Sequence, residues 1–393
     1  MKLVRLNPLC ALAAAVFVFA ASTATTPAAA DKVKPVRTPN SGLQPQAVMD
    51  ERGALHLVYL AGAPGASDVF YVRRAKGQKE FSTPLRVNSQ PGSAVATGTI
   101  RGAQLALGKN GRVHVVWNGS NAAAPRRAGN SAPLLYARLN DSRTAFEAQR
   151  NLIHLTQHLD GGGSVAADKT GNVYAVWHAA GEKTGEPNRR IWLARSADDG
   201  KTFAREVAID PADVGGKTTG VCACCGLRAF VNQQGRLFVL YRTATEMTER
   251  GMFLLISANR GKTFQGARMD SWNLTTCPMS SSTMVEAGQT RGAWENNGQV
   301  YFGGLDSTAT VAPLAAPGST GKRKHPALAV NARGETMLAW TEGTGWKKGG
   351  SLAWQLFDGS GKPTSEKGTA PDVPIWGLAT VVAEADGSFT IIY

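Results

Sequence analysis

Asp168-Lys169-Thr170-Gly171-Asn172-Val173-Tyr174-Ala175-Val176-Trp177 is a Gly-bearing turn running into a short strand that stops on a tryptophan. Its turn residues supply positive φ and side-chain acceptors, and its strand residues suit a pleated, half-buried surface. The same unit recurs along the chain. LHLVY ends at Tyr59, VHVVW at Trp117, LFVLY at Tyr241 and ETMLAW at Trp340, with looser copies TRGAW at Trp294 and SFTIIY at Tyr393. The turns before them read DERG, GKNG, NQQG, NARG, AGQT and EADG. Successive aromatics lie 58, 60, 64, 53, 46 and 53 residues apart. A period this long, with several strands in each unit, predicts small sheets repeated radially: an all-β chain forming a β-propeller of mostly four-stranded blades. The hairpin count gives seven.

Between these hairpins the first unit adds strands at DVFYVRR and near PLRVN, the second at LLYARL and FEAQRNL, and the third at RIWLARS and FAREVAI. The fourth adds MFLLIS and FQGARM, and the fifth QVYFGGL and ATVAPLA. The sixth adds SLAWQLF and a weak fourth strand, and the seventh supplies two strands only. Ring closure then falls to the N-terminal segment. Residues 31–45 read as a linker or closing strand, with residues 32–38 the best donor because Val33 and Val36 lie there. Residues 46–393 read as one propeller domain.

Residues 1–30 read as a secretory signal peptide: Lys2 and Arg5, an apolar run from about Leu9 to Ala21, then Ala28-Ala29-Ala30. No other segment is long and apolar enough to span a membrane, so the expectation is a secreted or periplasmic protein, a monomer. The formal net charge is +14. That excess favours anionic partners or a solvated basic surface. The basic residues are scattered, with KRKH at 322–325 the densest patch. The charged stripe with interleaved aromatics that nucleic acid requires is missing, so no nucleic-acid role is expected.

Two stretches occupy one register, between the third and fourth strands of their units. They are Ser196-Ala197-Asp198-Asp199-Gly200-Lys201-Thr202-Phe203 and Ser257-Ala258-Asn259-Arg260-Gly261-Lys262-Thr263-Phe264. Both resemble the Asp box, Ser-x-Asp-x-Gly-x-Thr-Phe/Trp, of the sialidase-like (BNR-repeat) β-propellers. The resemblance implies structural turns at Ser196, Asp198, Gly200, Thr202 and Phe203, and at Ser257, Asn259, Gly261, Thr263 and Phe264, away from any active site. It also implies glycan recognition and, for a catalytic member, exo-sialidase-like glycoside hydrolysis. Two departures stand out. The family opens its first blade on Arg-Ile-Pro, where this chain has Leu43-Gln44-Pro45-Gln46-Ala47, and the family fold usually has six blades.

In a propeller the connections from second to third strand, and from one blade to the next, share one end of the ring. Four groups fall there. Cys222, Cys224 and Cys225 lead into the fourth blade and Cys277 into the fifth, which suits disulfides in an exported chain or a soft-metal site for copper or zinc. Asn118, His178, Arg242, Glu295 and Glu342 each follow a repeat aromatic, where arginine and carboxylates suit an acidic sugar and proton transfer. Arg101 precedes the second blade, His154, His158 and Asp160 the third, and Arg323 and His325 the sixth. Trp346 lies in a Gly-rich loop with Lys347 and Lys348, offering a ring to stack on a sugar. Tyr241 stands in the packing register rather than as a nucleophile.

The leading expectation is an exported propeller recognising an anionic glycan or glycoconjugate, with Arg101, Arg242, Glu295 and Glu342 as catalytic candidates. Trp346, His178, Arg323 and His325 are its substrate-binding candidates. It needs no cofactor. Two alternatives stand beside it: a non-catalytic carbohydrate- or protein-binding propeller, and a metal-binding protein built on the cysteine loops.

Overall fold

The computed structural model describes residues 1–3, 32–127, 132–306, 312–318 and 321–393. The chain forms two compact units, 1–31 and 32–393. The first is described only at residues 1–3, which form no regular element, so the expected signal segment otherwise lies outside the described residues.

In the second unit, strands appear where the short β-branched and aromatic runs stand. The chain enters through β1 (Val33–Val36). Blade 1 holds β2 (Leu43–Met49), β3 (Leu55–Ala63), β4 (Ala66–Arg74) and β5 (Leu85–Arg86). Blade 2 holds β6 (Gln104–Leu107), β7 (Val113–Asn118), β8 (Leu134–Arg138) and β9 (Arg150–Asn151). Blade 3 holds β10 (Ser164–Ala167), β11 (Val173–Ala180), β12 (Arg189–Ser196) and β13 (Val207–Ala208). Blade 4 holds β14 (Thr219–Val221), β15 (Arg228–Val231), β16 (Leu237–Thr245), β17 (Met252–Ser257) and β18 (Gln265–Arg268). Blade 5 holds β19 (Thr283–Ala287), β20 (Gln289–Asn296), β21 (Gln299–Gly304) and β22 (Leu314–Ala315). Blade 6 holds β23 (Arg323–Val330), β24 (Thr336–Glu342), β25 (Gly350–Phe357) and β26 (Pro363–Val373). Blade 7 holds β27 (Thr380–Ala383) and β28 (Phe389–Ile392), completed by β1.

Among the described residues the strands therefore make seven sheets, and the innermost strand of each packs against that of the next until β27 meets β2. The seven-bladed propeller stands, and six blades are ruled out. Closure comes from the expected segment: β1 pairs with β28 from Val33–Phe389 to Val36–Ile392. The pairing is parallel, and it leaves blade 7 with three strands. The weak fourth strand expected in blade 6 is instead the eleven-residue β26. Its side chains alternate polar and small with little apolar content, so the run lacks the usual hydrophobic signature.

The repeat aromatics account for the ring. Tyr59, Trp117, Trp177, Tyr241, Trp294 and Trp340 are buried, each in a cluster shared by two consecutive blades. Trp177, for example, packs with Val116, Leu134 and Tyr136 of blade 2. Among the described residues seven such clusters, one per blade junction, replace a single central core. The Asp-box-like stretches form the β12–β13 and β17–β18 turns. Asp198 accepts from Thr202 N (2.9 Å) and Thr202 Oγ1 (2.6 Å), and Ser196 Oγ accepts from Gly200 N (2.9 Å). Asn259 accepts from Thr263 N, and Ser257 Oγ from Gly261 N, in the same way. Phe203 meets Tyr136 edge-on at 4.8 Å. His56 on β3 and His114 on β7 bond Tyr71 and Tyr136 of the adjacent strands.

Candidate functional site

At the loop-rich end the connectors do gather around the axis. Gln44, Thr99, Gly102, Gly163, Gly226, Arg228, Ser281, Pro326 and Leu378, at the entries of all seven blades, line one narrow axial cavity of about 50 Å³. Arg228 stands on β15 at this cavity with no hydrogen-bond or ion-pair partner among the described residues, and burial pulls it down to about 10.

The cysteines do not simply lead into blade 4; they split its inner strand. β14 pairs with Thr243–Thr245 of β16 and β15 with Leu237–Leu240, and residues 222–227 loop out between them. This loop is held on every side. Cys222 N donates to Arg242 O, Ala223 N to Glu186 Oε1, Gly226 N to Ser280 O, and Gly161 N to Ala223 O. His178 Nε2 lies 2.9 Å from Cys225 O. Gly161 is required there, because a Cβ on it would stand 2.2 Å from His178 Nε2.

The four cysteines described are free. Cys222 Sγ lies 3.4 Å from Cys225 Sγ and 3.6 Å from Cys224 Sγ, so none of these pairs is bridged, against the disulfide expectation. Cys277 is exposed and outside the cluster, so the expected meeting of neighbouring connectors fails for this residue. Arg250, paired with Glu186 at 2.9 Å, directs Nη1 to Cys222 Sγ at 3.2 Å.

Positions expected just beyond the second strands lie inside them: Asn118 on β7, His178 on β11, Arg242 on β16, Glu295 on β20 and Glu342 on β24. Strand pairing carries these side chains into the blade walls, and the first four are buried. Burial, with the Arg189 charge adding, holds His178 down to about 4, and burial pushes Glu295 up to about 7. His325 is buried against Ser281 and, through that burial, is held down to about 3. Cys225 is held below the usual thiol range: burial opposes this, but Cys222 and Cys224 point their thiols at it and Arg242 adds its charge. His178 and Arg242 contact the cysteine loop directly, through Cys225 O and Cys222 N. The sequence register singles out His178 and Arg242, while Glu186, Arg250 and Ser280, which support the same loop, carry no repeat signal.

The expected arginine set does not converge as free cations. Arg242 donates to Arg250 O (2.7 Å) and Glu295 O (2.6 Å), with its guanidinium over Trp272. Arg323 is buried, paired with Glu342 at 3.1 Å and stacked over Trp340. Glu342 also accepts from Trp340 Nε1 at 2.9 Å. Arg101 pairs with Asp160 and donates to Thr97 O. Tyr241 is buried in the blade 3–blade 4 cluster, and burial raises its phenol well above the usual range.

Among the described residues, a solvent-facing constellation lies at Trp346. Trp346 is 45% exposed, meets Trp376 edge-on at 6.5 Å and accepts from Trp376 Nε1 through its carbonyl. A Cβ on Gly98 would touch the Trp346 ring at 3.0 Å and lie 3.8 Å from Arg101 Nη1, so the blade 6 loop reaches the entry to blade 2. Lys347, Lys348 and Ile375 are exposed beside the two rings in sequence. Trp376 is absent from the sequence-based candidates, although Pro374-Ile375-Trp376-Gly377 carries the signal that marks Trp346: a large aromatic among turn residues and outside the repeat register.

No protein-family model and no curated protein matches this sequence. Solved structures do share the fold. A Hadza microbial sialidase is 14% identical over 81% of this chain and 69% of its own, with a TM-score of 0.50. An ulvan lyase, a polysaccharide lyase bound to -[GlcA(1-4)Rha3S]-, is 12% identical over 87% of this chain and 88% of its own, with a TM-score of 0.52. Trypanosoma rangeli sialidase in complex with the inhibitor DANA is 11% identical with a TM-score of 0.47; the chain spans 55% of its length. The fold is thus that of a sialidase-like β-propeller. No helix among the described residues is long and apolar enough to cross a membrane.

Proposed function

We propose that this chain is an exported, monomeric propeller that binds an anionic glycan at its loop-rich end without hydrolysing it. The observation that carries this reading is the exposed Trp346, braced by Trp376 beside Arg101. Aromatic faces stack on the apolar face of a sugar ring, and the flanking Lys347 and Lys348 meet carboxylate or sulfate. The +14 charge raises the local concentration of such ligands. The lyase of the same fold, seen with a uronate- and sulfate-bearing sugar chain, fits this ligand class. Against turnover, Tyr241 is sealed in a core, Arg242 and Arg323 are engaged in internal bonds, and Glu295 is buried in a blade wall.

The test is calorimetric titration with uronate-bearing, sulfated and sialylated oligosaccharides, with product release followed in the same tubes. Binding that weakens with added salt, falls about tenfold in Trp346→Ala and releases no product is the expected result. Equal affinity in wild type and Trp346→Ala removes the platform from the reading. Product release overturns its non-catalytic part.

A further inference from the structure

The cysteine loop is unexplained by glycan recognition, and it has the features of a ligand set. Cys222, Cys224 and Cys225 bring three sulfurs within 4.8 Å of one another from three branches of a single tight loop. Three sulfurs in trigonal array around one ion at thiolate bond lengths of about 2.3 Å stand about 4 Å apart, and two pairs here, at 3.4 and 3.6 Å, lie within about half an ångström of that spacing. The donors are held by their surroundings: the loop backbone carries four anchors, one from β16 of its own blade and three from the segments of Glu186, Gly161 and Ser280, and His178 fixes the Cys225 carbonyl. Cys222 and Cys225 are buried, which shields them from solvent oxidants, while Cys224 is partly exposed and leaves a way in. A trio of thiolates also needs nearby positive charge. Arg250 supplies it by direct contact with Cys222, and Glu186 holds that guanidinium in place.

We propose that Cys222, Cys224 and Cys225 bind one monovalent copper ion through three thiolates. The choice of metal follows from the donors. Thiolates are soft and select monovalent copper, zinc or iron–sulfur clusters. Zinc in structural sites takes four ligands and clusters take four cysteines, whereas no histidine or carboxylate joins this group among the described residues. A three-coordinate soft cation is what three sulfurs satisfy alone. The adjacency of Cys224 and Cys225 disfavours a bridge between them, and a Cys222–Cys225 bridge leaves Cys224 without a role. Loss of the three thiol protons accompanies binding, so uptake releases protons to buffer.

The test uses the full chain, reduced without oxygen and titrated with monovalent copper against a chromophoric chelator, with zinc run in parallel. One copper per chain is expected in wild type and in Cys277→Ser, and it is lost in Cys225→Ser and Cys224→Ser. Arg250→Gln should keep the stoichiometry with affinity about 10–100-fold lower. Thermal unfolding of each variant separates a lost ligand from a lost fold, and the partly exposed Cys224 is the safer substitution. No copper retained by folded wild type, retention by folded Cys224→Ser, or zinc held in preference to copper each overturns the proposal. So does a disulfide that persists under the reducing conditions.

Discussion

Asp210 is a carboxylate whose surroundings oppose its charge. Burial raises it to about 6, although Arg190 Nε lies 3.1 Å away and Ile191 N donates to it at 2.8 Å. A carboxyl raised from 3.8 in the unfolded chain favours its neutral form in the fold. Its penalty is therefore absent below about pH 4, grows as pH rises, and is complete above about pH 6, at about 3 kcal/mol. Asp210→Asn keeps an acceptor for Ile191 N and removes the titration. The variant should match wild type near pH 4 and exceed it above pH 6 in urea unfolding; a gap of equal size at both pH values rejects the assignment. The same physics limits what can be read from sequence at this scale. His178, Arg242 and Glu295 stand out because each follows a repeat aromatic. Their burial is not legible, because it depends on the second strands running on through them and on a neighbouring blade closing over them. A charged residue near a channel and a charged residue in a wall read alike in one dimension.

Single elements are legible where local chemistry decides them. The β12–β13 turn forms as its residues require, with Asp198 held down to about 2; burial works against this, and bonds from Thr202 and Ser196 outweigh it. Asp198→Ala removes three acceptor bonds and should cost about 1–2 kcal/mol in chemical unfolding. Glycan affinity should not move, since this turn lies at the opposite end of the ring from Trp346. A drop in affinity without a drop in stability would place the turn in the binding surface. Elements set by tertiary contact are harder to see. β26 carries few apolar side chains, yet pairs along β25 with two irregularities in register. Residues 219–221 lack a strand signal and become β14 only because the far end of β16 is free to pair.

At the scale of the whole molecule, blade number and closing segment are legible because the repeat aromatics mark every blade junction. The loop-rich end follows from topology, but the proximity of Trp346 to Gly98 crosses from blade 6 to blade 2 and has no trace in local sequence. The β1–β28 ladder is the fastening of the ring, reinforced by Thr38 N to Tyr393 O (2.8 Å), Phe389 N to Lys32 O (2.8 Å) and Arg37 over the Tyr393 ring at 4.1 Å. Removing residues 1–38 should lower stability by at least about 3 kcal/mol through lost ladder bonds and the exposure of Val33 and its partners. An unchanged unfolding midpoint would mean that the blades cohere without the fastening. That fastening also sets a schedule for biosynthesis. The partner of residues 33–36 is 389–392, so during synthesis β1 waits until more than 350 further residues have been made before the circle can lock. Until then the growing chain is an open arc with two unpaired sheet edges, exposed to aggregation until blade 7 arrives.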